Sequence, residues 1–144
     1  LRSDCAPLND LVGKMLDACP SIRCMRDPTR GGLATTLNEI ASTSNVGMVI
    51  EEEKVPVREP VKGISELLGL DPLYLANEGK LIAICPPDEA ERLWEVMKSH
   101  PLGRNAEVIG RVTEENRTRV TLHTLIGGHR ILDMVTGEEY PRVG

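Results

Sequence analysis

The sequence predicts an α+β domain, layered α/β/α, in which a mixed β-sheet is covered by helices. Three observations carry this. Helical and extended periods alternate along most of the chain, in the order helix, strand, helix, strand, helix, strand, helix. Three strand-like segments then follow one another, the last two separated by a glycine pair. The run Leu81-Ile82-Ala83-Ile84-Cys85 is apolar without interruption, the pattern of a central strand covered on both faces.

Leu8, Leu11, Val12, Met15, Leu16 and Cys19 lie on one face of a first helix, which Pro20 ends. Ser21 to Met25 reads as a short strand. A second helix starts at Gly31 or Gly32 and runs to about Ser42, with Leu33, Leu37, Ile40 and Ala41 on one face. Asn45 turns the chain into a strand from Val46 to Glu51. Glu51-Glu52-Glu53-Lys54 reads as a solvated charged rim, and Val55-Pro56-Val57 as extended. A third helix is expected over Pro60 to Leu68, with Val61, Ile64, Leu67 and Leu68 inward and Gly69 as its stop. Asp71 and Pro72 should cap a short turn carrying Leu73, Tyr74 and Leu75.

After the Leu81–Cys85 run, Asp88 and Glu91 have the spacing of a capping box for a helix to about Lys98. Its expected buried stripe is Ala90, Leu93, Trp94 and Met97, and Pro101 and Gly103 end it. Glu107 to Val112 reads as a strand. Arg117 to Leu125 alternates, with Val120 and Leu122 on one face. Gly127-Gly128 is a hairpin turn into a strand from Arg130 to Val135. The domain is expected to span residues 1–135, with 136–144 as a flexible tail that contains Pro141 and no core pattern.

Composition narrows the functional classes. At 144 residues, 40% hydrophobic and 27% charged, the chain suits one soluble globular domain. A net charge of −5 and three aromatic residues offer neither the basic face nor the stacking rings of a nucleic-acid binder. No run is long and apolar enough to span a membrane, and no secretory signal opens the chain, so a cytoplasmic location is expected. The start at Leu1 rather than Met indicates a piece of something longer, or a processed chain. Cys5, Cys19, Cys24 and Cys85 form no CxxC pair and read as reduced, mostly buried thiols rather than zinc ligands. His100, His123 and His129 read as solvated, and none joins a Ser-His-Asp or Cys-His set.

Two loops have chemical potential. In Asp27-Pro28-Thr29-Arg30-Gly31-Gly32 a glycine pair opens a helix. The first N–H groups of that helix lack intrahelical acceptors, and together with the helix dipole they favour an anion. Glycine admits a phosphate close to the backbone, Arg30 adds fixed positive charge, and Asp27 can hold the loop or help hold a metal. The same pattern also makes a plain turn. In Asn77-Glu78-Gly79, ahead of the apolar run, Glu78 is a candidate general acid or base whose pKa partial burial would raise. It also fits a residue that merely caps a turn.

Residues Met25 to Leu33 with the following Ala34 to Ala41, and Tyr74-Leu75-Ala76-Asn77-Glu78-Gly79-Lys80, resemble the second domain of the HypE family of hydrogenase maturation proteins. Tyr140-Pro141-Arg142 resembles that family's close, so the likeness runs from the first helix to the tail. Selenophosphate synthetase, thiamine-monophosphate kinase and aminoimidazole ribonucleotide synthetase are related families with the same fold and different loops here. The resemblance implies a PurM-like carboxy-terminal domain whose absent amino-terminal partner carries most of the ATP and Mg2+ site and forms a homodimer. It implies the ATP-dependent dehydration of a protein S-carbamoyl cysteine to thiocyanate, the source of the cyanide ligand of nickel–iron hydrogenase. A HypF-like carbamoyltransferase would supply the substrate and a HypC–HypD complex would receive the product.

In that scheme Glu78 is the base or its positioner. Thr29, Arg30, Gly31 and Gly32, with Asn77, cradle the nucleotide's phosphate end or the activated carbamoyl group, and Asp27 supports the loop. The family typically ends Pro-Arg-Ile-Cys, with the cysteine as carrier, whereas this chain ends Pro141-Arg142-Val143-Gly144. Gly144 has no thiol, so the chain as given should not complete the reaction. Two other readings remain: another ATP-dependent PurM-superfamily enzyme acting on a small molecule, and a non-catalytic domain that docks a partner.

Overall fold

A computed structural model describes residues 8–28, 31–74 and 80–133. In chain order the elements are helix α1 (Asn9–Ala18), strand β1 (Cys24–Arg26), helix α2 (Gly32–Ser44), strand β2 (Gly47–Glu51), helix α3 (Glu59–Leu68), strand β3 (Ile82–Ile84), helix α4 (Ala90–Ser99) and strands β4 (Gly110–Thr113), β5 (Val120–His123) and β6 (His129–Leu132). Short 3-10 turns occupy Glu52–Lys54, Pro72–Tyr74, Pro87–Glu89 and Pro101–Gly103. This is the expected order of elements. The described residues fall into two compact units, one within Leu1–Asp27 and Glu78–Val108, the other within Pro28–Asn77 and Ile109–Gly144.

In the first unit β1 and β3 pair as an antiparallel ribbon, with Met25 opposite Ala83. Among the described residues the Leu81–Cys85 run is therefore not a central strand, because β3 pairs there with β1 alone and its three residues are half-buried. An unbroken apolar run looks the same whichever face is covered. Here Leu81, Ala83 and Cys85 pack on the cluster of Leu11, Met15, Cys19 and Leu93 from α1 and α4, the alternation of a strand with one helical cover. The Asp88–Glu91 capping box does not form. Pro86 and Pro87 start a 3-10 turn through Glu89, which becomes the residue before α4 and gives no side-chain cap. The carboxylate of Glu89 instead accepts from the Cys19 thiol at 2.9 Å and from Arg92 at 3.2 Å. His100 is not solvated. It is 7% exposed, its Nε2 lies 2.7 Å from Asp10 Oδ2, and its Nδ1 accepts from the Leu102 N–H.

In the second unit four strands form a mixed sheet in the order β4-β2-β5-β6. The central pair β2 and β5 is parallel, with Met48 opposite Val120 and Ile50 opposite Leu122, and both outer pairs are antiparallel. Met48, Ile50, Val120, Leu122 and Leu132 are buried, as are Ala34, Leu37, Ile40 and Ala41 of α2. Asn45 closes α2 in the left-handed region at φ 53°, as its place before a strand predicts. The strand expected from Glu107 starts only at Gly110.

The third helix forms where expected, with Pro60 in its first turn and Gly69 at φ 70° as its stop. Its orientation is a correction. Val61 is 37% exposed, Ile64 59%, Leu67 85% and Leu68 62%, and Ser65 is its buried residue. The charged rim is also partly structural: Glu51 Oε1 lies 3.0 Å from His123 Nδ1, and Glu52 accepts from the Leu125 N–H. No described helix is long and apolar enough to cross a membrane.

Candidate functional site

The candidate site is the start of α2. Gly31 precedes the helix in the left-handed region at φ 69°, and Gly32 opens it at φ 67°. Two successive residues there suit glycine, because a Cβ would crowd the backbone at either. At Gly31 a Cβ would also run into the side chain of Thr35. Among the described residues no side chain caps this helix, and no acidic residue sits in its first turn. The leading N–H groups thus have no intrahelical acceptor and no competing anion from their own turn. Thr35 Oγ1, one turn in, is buried and has no hydrogen-bond partner among the described residues. A phosphate oxygen suits this combination of leading amide donors, a close-approach backbone and a hydroxyl with no partner among the described residues.

Gly31 and Gly32 are the candidates that the structure brings together. Asp27 is exposed and belongs to the first unit. Thr29, Arg30, Asn77 and Glu78 lie outside the described residues, as does the tail from 134 onward and Cys5. Among the described residues no group of three or more His, Cys, Asp or Glu side chains could hold a metal ion. Cys19, Cys24 and Cys85 are free, and Cys19 is fully buried. The Glu89 carboxylate that accepts its proton, together with burial, pushes the Cys19 thiol up to about 11. Such a thiol is a poor nucleophile.

Several residues around this unit were missed by sequence reasoning. Asn38 is buried and its Nδ2 donates both to Ala34 O at 2.8 Å and to Leu132 O at 2.7 Å. Arg130 is paired with Asp71 at 2.6 Å, which holds the guanidinium above its ordinary pKa. Glu51, His123 and His129 lie in register across β2, β5 and β6, with the two imidazole rings 4.2 Å apart. A buried Asn on an otherwise apolar helix face was the one signal available for Asn38.

Residues 1–123 match the family described as AIR synthase related protein, C-terminal domain. Carbamoyl dehydratase HypE of Azotobacter vinelandii is 56% identical over 143 residues, covering 99% of this chain and 42% of that protein. A crystal structure of hydrogenase maturation protein HypE in complex with ATP superposes with a TM-score of 0.89 and 47% identity, over 95% of this chain and 43% of that one. A chain from a crystal structure of a HypE–HypF complex gives a TM-score of 0.88 and 47% identity, over 94% of this chain and 44% of that one. The chain thus spans less than half the length of the curated relatives it matches.

Proposed function

The chain belongs to the AIR synthase related protein, C-terminal domain family, and from that premise we propose that it is the carboxy-terminal domain of a HypE-type carbamoyl dehydratase. The observation that carries this reading is the 56% identity over nearly the whole chain to a protein named for that activity. Residues 1–135 serve as one domain of the enzyme and 136–144 as its tail.

The proposed reaction has two steps. The carbamoyl oxygen on a cysteine sulfur attacks the γ-phosphorus of ATP, ADP leaves and the carbamoyl nitrogen gives up the first of its two protons to solvent, which converts a poor leaving group into phosphate. Loss of the remaining nitrogen proton then expels phosphate and leaves sulfur bound to a nitrile carbon. The amide donors behind Gly31 and Gly32 suit the negative charge that grows on the transferred phosphate. Thr29, Arg30 and Asn77 add side-chain donors to it, and Asp27 supports the loop. Glu78 takes the nitrogen proton or positions the group that does. Mg2+ is held mostly by the amino-terminal part of the enzyme.

ATP binding is supported by the HypE structure solved with ATP, and a HypF-like partner by the HypE–HypF complex. A HypC–HypD complex as acceptor, a homodimer of the whole protein and a cytoplasmic setting complete the reading. The test uses the full-length protein with a cysteine at its end, carbamoylated and given ATP. Mass spectrometry should show the tail lose one water, and Glu78→Gln should retain the carbamoyl group without losing it. Normal thiocyanate formation by Glu78→Gln would remove Glu78 from the mechanism. A wild-type tail that never loses water would overturn the function.

A further inference from the structure

Cys19 and Cys85 meet on the core side of the β1–β3 ribbon, within the first unit. Cys19 closes α1 and is fully buried, and Cys85 follows β3 and is half-buried. Backbone bonds bring them together. The Ile22 N–H donates to the Cys19 carbonyl at 3.3 Å, and the Arg23 N–H to the Ile84 carbonyl at 2.8 Å. The turn after α1 is thereby tied to the end of β3. Cys85 packs on the cluster of Leu11, Met15, Cys19 and Leu93, and the two thiols lie within hydrogen-bond reach of each other. Cys24 is the contrast. It stands opposite Ile84 in the ribbon, one step out of phase with Cys85, and successive strand residues face opposite sides. The cluster accordingly takes Met25, Ala83 and Cys85 and leaves out Cys24.

We propose that Cys19 and Cys85 are an oxidation site, in which a peroxide oxidises Cys85 and Cys19 then closes a disulfide with it, the Glu89 carboxylate accepting the Cys19 proton. In the first step the Cys85 sulfur attacks one peroxide oxygen and the O–O bond breaks. The products are a sulfenic acid at Cys85 and one water. In the second step the Cys19 sulfur attacks the sulfenic sulfur and the S–O bond breaks. The Cys19 proton passes to Glu89 Oε2, which lies 2.9 Å from the sulfur, and from there to the departing hydroxide, which leaves as a second water. Two thiols lose two electrons and two protons, and the peroxide is reduced to two waters.

Glu89 also sets the threshold. Its hydrogen bond, and then burial, push the Cys19 thiol up to about 11. Burial, and then the Glu89 charge, raise the Cys85 thiol above its ordinary value. Asp88 adds a smaller push on Cys85, and Arg92 pairs with Glu89 at 3.2 Å. The attacking species is the thiolate. The carboxylate therefore keeps the pair reduced at neutral pH and lets it close as the pH rises or peroxide accumulates.

The experiment treats the full-length protein with hydrogen peroxide from about pH 7 to about pH 10, where the thiolate fraction grows. Remaining thiols are alkylated, and a tryptic digest made without reductant is read by mass spectrometry. Cuts after Lys14, Arg23, Lys80 and Arg92 put Cys19 on peptide 15–23, Cys85 on 81–92 and Cys24 on a third. The expected product links 15–23 to 81–92 with Cys24 alkylated, at a rate that rises about tenfold per pH unit below the thiol pKa values. Cys19→Ser should leave Cys85 as a sulfenic acid that dimedone traps. Glu89→Gln should close the link several-fold faster near neutral pH and move the whole profile to lower pH, which a loss of packing alone would not do. No link at any pH would overturn the proposal, as would a link through Cys24, a link that forms only in unfolded protein, or a Glu89→Gln profile equal to wild type. The wild-type link map needs no variant, so it decides even if a substitution prevents folding.

Discussion

Asn38 and Leu132 are separated by 94 positions in the chain, and the side-chain amide of the first lies 2.7 Å from the backbone carbonyl of the second. The bond crosses from α2 to the edge strand β6 inside the buried part of the second unit. Replacing Asn38 by Leu keeps the branched shape of the side chain and leaves the Leu132 carbonyl without this donor. An unsatisfied buried acceptor costs about 1–3 kcal/mol. Urea unfolding of Asn38→Leu should show a loss in that range with an unchanged m-value. A midpoint equal to wild type would mean that water replaces the amide at no cost.

Gly31 predicts a second, sharper sensitivity. Its φ of 69° is unfavourable for any residue with a Cβ by about 1–2 kcal/mol, and the added carbon would meet Thr35. Gly31→Ala should therefore destabilise by roughly 1–3 kcal/mol. Pairing it with Thr35→Ala should return the overlap with Oγ1 and Cγ2 and leave the overlap with the Thr35 Cβ together with the backbone strain. A double-mutant cycle on chemical denaturation separates the two, and full additivity would show that Thr35 moves aside freely.

What sequence reasoning reached, it reached through local chemistry. The glycine start of α2, the Asn45 turn, the Gly69 stop and the Asp71–Pro72 turn are all found where expected, because each is decided by residues within a few positions. The alternation of Val120 and Leu122 identified β5 and its buried face. Failures came where a partner distant in sequence decides. Periodicity showed that α3 has an apolar stripe but not what the stripe faces. The half-covered state of β3 depends on β1, its one strand neighbour among the described residues. Burial of His100 depends on Asp10, 90 residues away. Of the candidate site, Gly31 and Gly32 show the expected turn geometry, since a turn announces itself in its own residues. Asn38 and Arg130 act through carbonyls and carboxylates that no local pattern reveals.

The exposed stripe of α3 makes a prediction by contrast. Leu67 is 85% exposed, so Leu67→Ser removes little burial and should change stability by less than about 0.5 kcal/mol. Leu122 is fully buried in the central pair of strands, and Leu122→Ala should cost about 2–5 kcal/mol. Thermal melts of the two variants of this chain should differ by about 5 °C or more, since 1 kcal/mol shifts the melting temperature of a 144-residue chain by roughly 3–4 °C. Similar losses in both would mean that Leu67 is covered in solution.

ATP binding should be weak in this chain alone. It spans 42% of the relative named for the dehydratase, and a nucleotide held by part of its site pays the full cost of immobilisation for fewer contacts. Titration calorimetry with ATP and Mg2+ should give no saturable heat at micromolar concentrations. Tight magnesium-dependent binding would place the whole nucleotide site within these 144 residues.

Stability of the first unit should fall at both ends of the pH scale. The Cys19 thiol, which ionises near 9.0 when free, is pushed up to about 11 in the fold by its hydrogen bond to Glu89 and by burial. A folded state that holds its proton more tightly than the unfolded chain is stabilised fully below the unfolded pKa and loses that advantage as pH rises through the folded one. The loss should run from about pH 9 to about pH 11, and Cys19→Ala should abolish it. Asp10 is the opposite case: His100 and then Lys14 hold its carboxyl below the ordinary value of 3.8. Its contribution is present above that value and is lost as pH falls through the depressed one. Asp10→Asn should flatten the acid limb and leave the alkaline limb intact, and Cys19→Ala should do the reverse. Unfolding midpoints measured across pH for the two variants should thus separate the limbs, and a shared response would trace both to the net charge of the chain instead.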